Sequence, residues 1–475
     1  MSEFIDQPKN ILLIIDPQND FTDIPETFSK ITYISKDSTN PFDQTSESAG
    51  LPVGPATKEQ NLYFAEDFPE DKKEPINGAK ADLDKLVDFL KINGDKFHEI
   101  HVSLDSHTKN HIGHIGFWDI KSFKNEKTNK QEIRPRPLQQ FYVKPEGIYT
   151  DEPYKIYVKN FGEIHDKTQL ITDEQKKKYE KEFIEVIAEP AKKELKEWAY
   201  RYILKMQDLR KSNESKPVPC LWAEHCIRGD NGWKVYKPLL DELDKLNESV
   251  PGKVFYHEKG TNDLVEMYSI FSAEVPYEKL FKDIQDVNPN SECFDYITKT
   301  YPEYPKFPNF KENLDIIPQH ENKMNDNPNY STSFNRKLFA QLTGGEKGGK
   351  NKIFVCGEAK SHCVKTSLED MLDNCDEFDF PKSNIYVFDD MTSIINAYAE
   401  STIAAYEKMK GEDGKGLQII KSEEFENKIL KAEGIKQEGG KRRNKTTKKS
   451  KATKKSKKSK KSSTRKHKKT HKSKR

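Results

Sequence analysis

One cysteine lies where the sequence changes from a strand pattern to a helix pattern. The apolar run at 353–355 predicts a buried strand, Gly357 ends it, and Cys363 begins a segment with apolar residues at helical spacing. Backbone N–H groups at a helix start favour a thiolate and can hold a developing oxyanion. Cys363 is therefore a candidate nucleophile, and the alternative is that it is a small buried hydrophobic residue.

Two charged residues stand at the ends of other predicted strands. Asp16 directly follows the branched apolar run at 10–15, and Lys259 ends a short strand that begins near residue 253. Ligands bind at the carboxyl ends of strands in an open parallel sheet, where the two residues could share a crevice and tune each other's pKa. The alternatives are a turn cap for Asp16 and a surface charge for Lys259.

An acid and three histidines follow the predicted strand at 97–105. Asp105 ends the strand, and His107, His111 and His114 all come within ten residues counted from that acid. Imidazole nitrogens combined with one carboxylate oxygen suit Zn²⁺ or Fe²⁺. A single histidine would more often be a packed or exposed residue, but three beside a strand-end aspartate indicate a metal site.

The elements that must position these residues alternate between strands and helices. The predicted strands lie at 10–15, 97–105, 253–259, 352–356, 384–390 and 417–420, and the predicted helices at 78–92, 334–342, 363–375 and 397–409. This alternation predicts an α/β fold with a doubly wound, mostly parallel sheet flanked by helices in three layers.

Two long insertions and a tail interrupt this pattern. We expect core segments at 1–118, with a loop at about 22–75, and at 218–273 and 331–424; insertions at 119–217 and 274–330; and a linker and disordered tail at 425–475. The first insertion is predicted to be largely helical, with a helix over 172–211 that is broken or kinked at Pro190.

The formal net charge of +2 conceals a strong asymmetry. Residues 441–475 contain 20 Lys or Arg and no acid, so the remainder is acidic by 18 charges. Six cysteines without a regular spacing do not indicate a disulfide scaffold, and no apolar run is long enough for a signal peptide or a membrane span. We expect an intracellular, cytoplasmic protein without membrane contact.

Five sequence blocks, in this order, resemble those of the isochorismatase-like cysteine hydrolases and, among them, the nicotinamidases. The blocks are IDPQNDF at 15–21, LDSHTKNHIG from 104, WAEHCIRGDNG from 222, EKGTND with YSIF within 258–271, and GEAKSHCVKTS from 357. The resemblance covers roughly half of the chain and leaves out the insertions and the tail. The resemblance implies the family's three-layer α/β fold and hydrolysis of nicotinamide to nicotinate and ammonia.

The resemblance also implies roles for individual residues. The family's catalytic trio falls on Asp16, Lys259 and Cys363, which would act through a thioester intermediate. Backbone N–H groups of Ala359 and Cys363 would hold the oxyanion. The family commonly has a cis peptide before that alanine, here between Glu358 and Ala359.

The family's metal ligands fall on Asp105, His107 and His225, which would bind one divalent ion. Zn²⁺ is the first choice, and Fe or Mn are the alternatives. His111 and His114 both remain open as a further ligand.

Three aromatic residues, Phe21, Trp222 and Tyr268, fall where the family builds walls around the substrate ring, although each could instead be core packing. The chain departs from the family in Trp222-Ala223, where Trp-Pro is usual, and in the turn GDNG, where Gly-Thr is more common. Neither change touches a catalytic atom. His362 precedes Cys363, but adjacent residues at a helix start point in different directions, so a Cys–His dyad is the weaker assignment.

The basic tail at 441–475 is open to several interpretations. It could contact nucleic acid or another polyanion nonspecifically, act in nuclear import, or simply keep the chain soluble. Two rivals to the nicotinamidase interpretation follow. One is a hydrolase of the same fold acting on another small amide, and the other is an inactive scaffold that binds polyanions. A homo-oligomer is compatible with either.

Overall fold

The computed structural model describes residues 8–22, 78–120, 139–143, 154–160, 184–213, 216–217, 219–222, 224–304, 331–395 and 398–427. Its strands are β1 (Asn10–Ile15), β2 (Glu99–Asp105), β3 (Trp118–Ile120), β4 (Gln139–Tyr142), β5 (Ile156–Asn160), β6 (Ile184–Pro190), β7 (Cys220–Leu221), β8 (Val254–Lys259), β9 (Lys352–Gly357), β10 (Ile385–Phe388) and β11 (Gln418–Ile420). Its α-helices are α1 (Ala79–Asn93), α2 (Lys196–Ser212), α3 (Lys237–Ser249), α4 (Tyr277–Val287), α5 (Glu292–Thr300), α6 (Arg336–Thr343), α7 (Cys363–Asn374) and α8 (Ala399–Met409).

A six-stranded parallel sheet forms the centre, in the order β11-β10-β9-β1-β2-β8. The run NILLII makes β1, whose six residues are all buried because neighbouring strands and both covering layers surround it. In the sheet, β2 and β8 follow β1 toward one edge, whereas β9, β10 and β11 lie toward the opposite edge. The strand order therefore reverses between β1 and β9, which makes this position a topological switch point.

Helices cover both faces of this sheet. On one face Ile11 and Leu13 of β1 belong to the same hydrophobic cluster as Leu338 of α6 and Leu368 of α7. On the other face Phe89 of α1 packs edge-on against Phe388 of β10, with 5.1 Å between ring centroids. The predicted three-layer α/β fold with a doubly wound sheet is thus confirmed.

A second sheet is built mainly from the first insertion, with β3 at its start and β7 just after its predicted end. It is antiparallel, in the order β3-β6-β5-β4-β7, and a hydrophobic cluster that includes Trp198 and Ile203 of α2 and Ile156 of β5 accompanies it. β3 comes just after His114, and β7 directly precedes Trp222. In sequence, the second sheet therefore lies between the candidate site segment that contains His114 and the one that begins at Trp222.

Parts of the predicted secondary structure were wrong. The helix predicted over 172–211 is β6 at Ile184–Pro190, and the helix α2 begins only at Lys196. The described part of that insertion, predicted to be largely helical, thus contains strands as well as a helix. β-Branched residues in IEVIAEP favour a strand, and the antiparallel partner β5 supplies hydrogen bonds that local helical spacing could not reveal. The second insertion likewise contains two helices, α4 and α5, that were not predicted.

Several expectations fall outside the described residues. These are most of the loop at 22–75, the start of the 172–211 segment, and the tail at 441–475. Residues 1–425 form one unit of the chain and 426–475 a second. Of the α-helices in the described ranges, none combines the length and the apolar composition needed to cross a membrane.

Candidate active site

The carboxyl ends of four neighbouring strands bring together residues that are far apart in sequence. Asp16 follows β1, while Asp105 and Lys259 are paired in register as the last residues of β2 and β8. Cys363 begins α7 after β9. Asp16 adopts a φ of 43°, a left-handed conformation that is uncommon for a residue other than glycine. The strand ends therefore place these four residues at one edge of the sheet.

The ammonium group of Lys259 lies between the side chains of Asp16, Asp105 and Cys363. Its Nζ is 2.9 Å from Asp16 Oδ2, 3.1 Å from Asp105 Oδ1 and 3.6 Å from Cys363 Sγ. It also donates to the carbonyl of Met267 at 3.3 Å. The lysine side chain is only 1% exposed, so its charge is compensated by these groups rather than by water.

Burial and charge set the protonation states of this trio. Burial disfavours the Lys259 ammonium, but Asp105 and Asp16 outweigh it and hold the pKa of Lys259 well above its usual value. Burial raises the pKa of Asp16 even though Lys259 and a hydrogen bond from Ser103 oppose the rise. A carboxylate with a raised pKa is a better proton acceptor than an ordinary one.

The Cys363 thiol is protonated at rest. Burial raises its pKa well above the usual value, and the carboxylates of Asp16 and Asp105 add to the effect although Lys259 opposes it. The helix start alone, which the sequence suggested would favour a thiolate, does not overcome burial. The thiol therefore needs a base, and Asp16 lies within hydrogen-bonding reach of it.

The turn before Cys363 is closely packed against β1. Gly357 has a φ of 106°, and a Cβ there would lie 2.1 Å from the carbonyl oxygen of Ile15, so only glycine fits. The peptide bond between Glu358 and Ala359 is cis, as predicted. The same turn carries Ala359 and Cys363, the two residues predicted to supply oxyanion donors.

Asp105 also faces a group of histidines. Its Oδ2 is 3.0 Å from His107 Nε2 and 3.5 Å from His225 Nε2, and one donor atom from each of the three residues lies within 4.8 Å of the others. The backbone approaches closely here: a Cβ on Gly260 would lie 2.6 Å from His107 Cε1 and 2.7 Å from Asp105 Oδ1. All three predicted ligands are buried and converge.

Hydrogen bonds define which nitrogen of His107 is available. Its Nδ1 is 2.9 Å from the carbonyl oxygen of Gly260, an acceptor, so Nδ1 carries a proton, and in the neutral imidazole Nε2 carries the lone pair. Within the described part of the chain, buried Nε2 makes no hydrogen bond, although it lies beside Asp105 Oδ2. Lone pairs of two imidazoles and a carboxylate pointing at one another fit a divalent metal ion.

The two further histidines use their nitrogens differently. His111 has both ring nitrogens hydrogen-bonded to backbone groups. His114 pairs Nδ1 with the carbonyl of Thr108 at 3.1 Å and Nε2 with Nδ1 of His225 at 3.2 Å. Burial holds the pKa of both His111 and His114 well below the usual value, so both are neutral.

The three predicted aromatic residues line this region as buried side chains. Phe21 packs edge-on against His225 with centroids 5.6 Å apart, and the Trp222 indole N–H donates to the Tyr268 hydroxyl at 2.9 Å. His362, which was weighed only as part of a dyad, lies perpendicular to Trp222 at 5.3 Å and 5.4 Å from Tyr268. Its pKa is lowered to about 3 by burial, so it is neutral and forms part of the wall.

Two supporting residues escaped the sequence analysis. The Ser103 hydroxyl donates to Asp16 Oδ1 at 2.6 Å and accepts from the Asp16 N–H at 3.0 Å. The Gln18 amide exchanges two 2.7 Å hydrogen bonds with the backbone N–H and C=O of Asp105. A signal for Ser103 was present: it is a polar residue on a buried strand, two positions before Asp105 and therefore on the same face.

No protein-family model matches the sequence, and no curated protein does either. Among solved structures, the yeast nicotinamidase Pnc1p is 13% identical, with a TM-score of 0.35 over 86% of this chain and 99% of that chain. The pyrazinamidase of Pyrococcus horikoshii in complex with zinc is 12% identical, with a TM-score of 0.29 over 87% and 99%. A nicotinamidase and pyrazinamidase of Acinetobacter baumanii is 13% identical, with a TM-score of 0.31 over 88% and 99%. Identities and TM-scores this low do not bear on activity.

Proposed function

We propose that this chain is a metal-dependent cysteine amidohydrolase that converts nicotinamide to nicotinate and ammonia. The observation that carries the proposal is the position of Lys259 Nζ, at 2.9 Å from a carboxylate and 3.6 Å from a thiol at the head of a helix. A structural ion pair alone would not require the thiol. The five sequence blocks that resemble the nicotinamidases, in order along the chain, support the same assignment.

In the first half of the reaction, Asp16 takes the thiol proton and Cys363 Sγ attacks the amide carbonyl carbon. Lys259 stays protonated, and its charge stabilises the thiolate as the proton leaves. Backbone N–H groups of Ala359 and Cys363 hold the oxyanion of the tetrahedral intermediate. The carbon–nitrogen bond then breaks, Asp16 returns the proton to the leaving nitrogen, and ammonia departs from a thioester.

In the second half, water hydrolyses the thioester. Asp16 is again a carboxylate and takes a proton from the attacking water, the carbon–sulfur bond breaks, and the proton returns to Cys363. The products are the free thiol and nicotinic acid, which loses its proton to solvent to give nicotinate. Two steps with modest barriers replace direct attack of water on an unreactive amide.

Asp105, His107 and His225 would hold the divalent ion, with Zn²⁺ as the first choice and Fe or Mn as alternatives. When bound, such an ion supplies a Lewis acid to which the pyridine nitrogen of the substrate can attach. Trp222, Phe21 and their neighbours would enclose the ring and orient its amide toward Cys363.

Ammonia release from nicotinamide by the purified chain tests the proposal. We expect turnover with Zn²⁺ or Fe²⁺ present, loss of turnover after chelation, and recovery when the ion is returned. A covalent adduct on Cys363 should be detected by mass spectrometry after acid quench. A metal-loaded protein that releases no ammonia from nicotinamide would refute this substrate.

A second candidate is hydrolysis of another small amide by the same groups. The Glu266 carboxyl is buried close to the histidines, and its Oε2 would lie 2.4 Å from a Cβ on Gly113. Burial raises the pKa of Glu266 and so favours its neutral form, which would donate a hydrogen bond to a polar substrate group. A panel of small amides, read by ammonia release, distinguishes this candidate, since its preferred substrate would exceed nicotinamide in kcat/KM.

A separate proposal concerns the tail at 441–475, whose 20 basic residues should retain nucleic acid or another polyanion nonspecifically. We expect the full chain to bind DNA at low salt, and a chain shortened after residue 440 to lose that binding while keeping its amidase activity. If the shortened chain binds equally well, the tail is not the attachment site. If only DNA binding and no amidase activity is found, the chain is an inactive scaffold.

A further inference from the structure

Three buried groups form a chain of hydrogen bonds that ends at the candidate metal ligands. The carbonyl oxygen of Thr108 is 3.1 Å from His114 Nδ1, and His114 Nε2 is 3.2 Å from His225 Nδ1. We propose that His114 is a positioning residue that fixes the tautomer and the orientation of His225. This inference rests on the metal site of the proposed function.

The Thr108 carbonyl determines which atom donates and which accepts in each of these hydrogen bonds. A carbonyl oxygen only accepts, so the Nδ1 of His114 carries its proton and Nε2 carries the lone pair. That lone pair accepts the N–H at Nδ1 of His225. The lone pair of His225 is then on Nε2, the nitrogen that faces Asp105 Oδ2 at 3.5 Å. The Thr108 carbonyl thus sets, through His114, which nitrogen of His225 is available to an ion.

The hydrogen bonds that join Thr108, His114 and His225, which we call the relay, are buried away from water. His114 is 0% exposed and His225 is 4% exposed, so solvent does not supply an alternative acceptor at His225 Nδ1. The two segments are also joined through their backbones, because the Trp222 N–H donates to the carbonyl of Gly113 at 2.7 Å. Since β3 to β7 separate these segments in sequence, the relay connects the two ends of the inserted sheet.

The same bonds argue against His114 as a further metal ligand. His107, His111 and His114 also have donor atoms within 4.8 Å of one another. However, His111 and His114 already use both nitrogens in the hydrogen bonds described above. A site built on that second trio would have to break those bonds, whereas Asp105, His107 and His225 need lose none of them.

Metal binding, rather than turnover, tests the proposal. His114→Met removes the acceptor while keeping an apolar side chain of similar length, and His114→Gln restores an acceptor oxygen near the position of Nε2. His101→Met is the matched control, since it changes an equally buried histidine whose ring nitrogens pair with His257 and Glu99. Affinity for Zn²⁺ is measured by competition with a chromophoric chelator, and the imidazole count of the Zn²⁺-loaded protein by X-ray absorption.

We expect His114→Met to weaken Zn²⁺ affinity by about 10–100-fold, and His114→Gln and His101→Met to stay within about threefold of wild type. The imidazole count should be two in every variant. Unchanged affinity in His114→Met, or equal losses in His114→Met and His101→Met, would overturn the proposal. A count that falls from three to two in His114→Met would make His114 a ligand and overturn it as well. If wild type itself fails to bind Zn²⁺, Fe²⁺ or Mn²⁺, the metal in the proposed function falls together with this relay, an outcome distinct from failure of His114 alone.

Discussion

The two oxygens of Asp105 face two regions that stabilise their buried polar groups by different interactions. Oδ1 lies 3.1 Å from the Lys259 ammonium, next to Asp16 and Cys363, where opposite charges compensate one another. Oδ2 lies 3.0 Å from His107 Nε2, in a region of imidazoles that hydrogen bonds hold in defined tautomers. One carboxylate therefore joins a charged trio to a histidine cluster.

The difference suggests separate tasks for the two regions. The trio can move a proton because its groups have pKa values displaced by burial and by one another. The cluster can hold an ion because His107 and His225 direct lone pairs toward Asp105 while His114 stays neutral. Changes confined to one region should leave the function of the other intact.

The sharpest separation is expected from Cys363→Ala. Removal of the nucleophile should lower ammonia release by about 10⁴-fold or more, because neither the base nor the oxyanion donors can replace the thiolate. Zn²⁺ affinity should remain within about threefold of wild type, since the thiol pairs with Lys259 Nζ, whereas the proposed ligands are Asp105, His107 and His225. Cys375→Ala, at a buried cysteine directly after the same helix, is the control and should keep its activity. Equal activity in the two variants would exclude a cysteine mechanism.

Lys259→Met should damage both regions, because Lys259 contacts Asp16 and Asp105. Removing one partner of a buried ion pair should cost about 3–5 kcal/mol in the free energy of unfolding, as two buried carboxylates lose their counter-charge. Lys365→Met provides the contrast: Lys365 is also buried, but burial lowers its pKa, so its charge is less well compensated. Chemical denaturation should show the larger loss for Lys259→Met. A larger loss for Lys365→Met would contradict the view that the carboxylates compensate Lys259.

The contrast between the charged trio and the histidine cluster also explains which site residues could be predicted from the sequence. Asp16 directly follows a strand pattern, and Asp105 and Lys259 each end one. Because parallel strands align their carboxyl ends, a local pattern was enough to bring the three residues to one edge. The cis bond before Ala359 and the ligand set with His225 were anticipated through the resemblance rather than from the spacing.

Local sequence patterns could not predict the relay through His114 or the antiparallel sheet. Whether His114 binds an ion or supports His225 depends on a partner 111 residues away and on which ring nitrogen carries the proton. The strand β6 was mistaken for a helix because its pairing with β5 is a contact between segments, and the adjacent charged sequence has helical spacing. Ser103 was missed although its place on the same face of β2 as Asp105 was a signal, because its partner Asp16 lies on another strand, 87 residues away in sequence.

Acid should destabilise the protein through its neutral buried imidazoles. The pKa of His362 is lowered to about 3 by burial, whereas an unfolded histidine titrates near 6.5. Between about pH 6.5 and pH 3 the unfolded chain binds a proton that the native state does not, so stability falls as pH falls, by up to about 1.4 kcal/mol per pH unit for this group. His362→Phe, which keeps an aromatic ring, should flatten the fall of Tm with pH. An unchanged slope would show that His362 is not responsible.

The smallest effect is expected from Ser103→Ala, which tests the support of the trio. The Ser103 hydroxyl donates to Asp16 Oδ1 at 2.6 Å, and this bond favours the carboxylate. Its loss should raise the pKa of Asp16 further, and because the reaction needs Asp16 ionised, the acid limb of kcat/KM should move to higher pH. Activity on that limb should fall by about tenfold, the equivalent of about 1.4 kcal/mol, with Zn²⁺ affinity unchanged. Ser106→Ala is the matched control, since Ser106 is equally buried but bonds to Leu104 and Trp233 instead. An acid limb that moves equally in both variants would mean that Ser103 supports the strand end and not the proton acceptor.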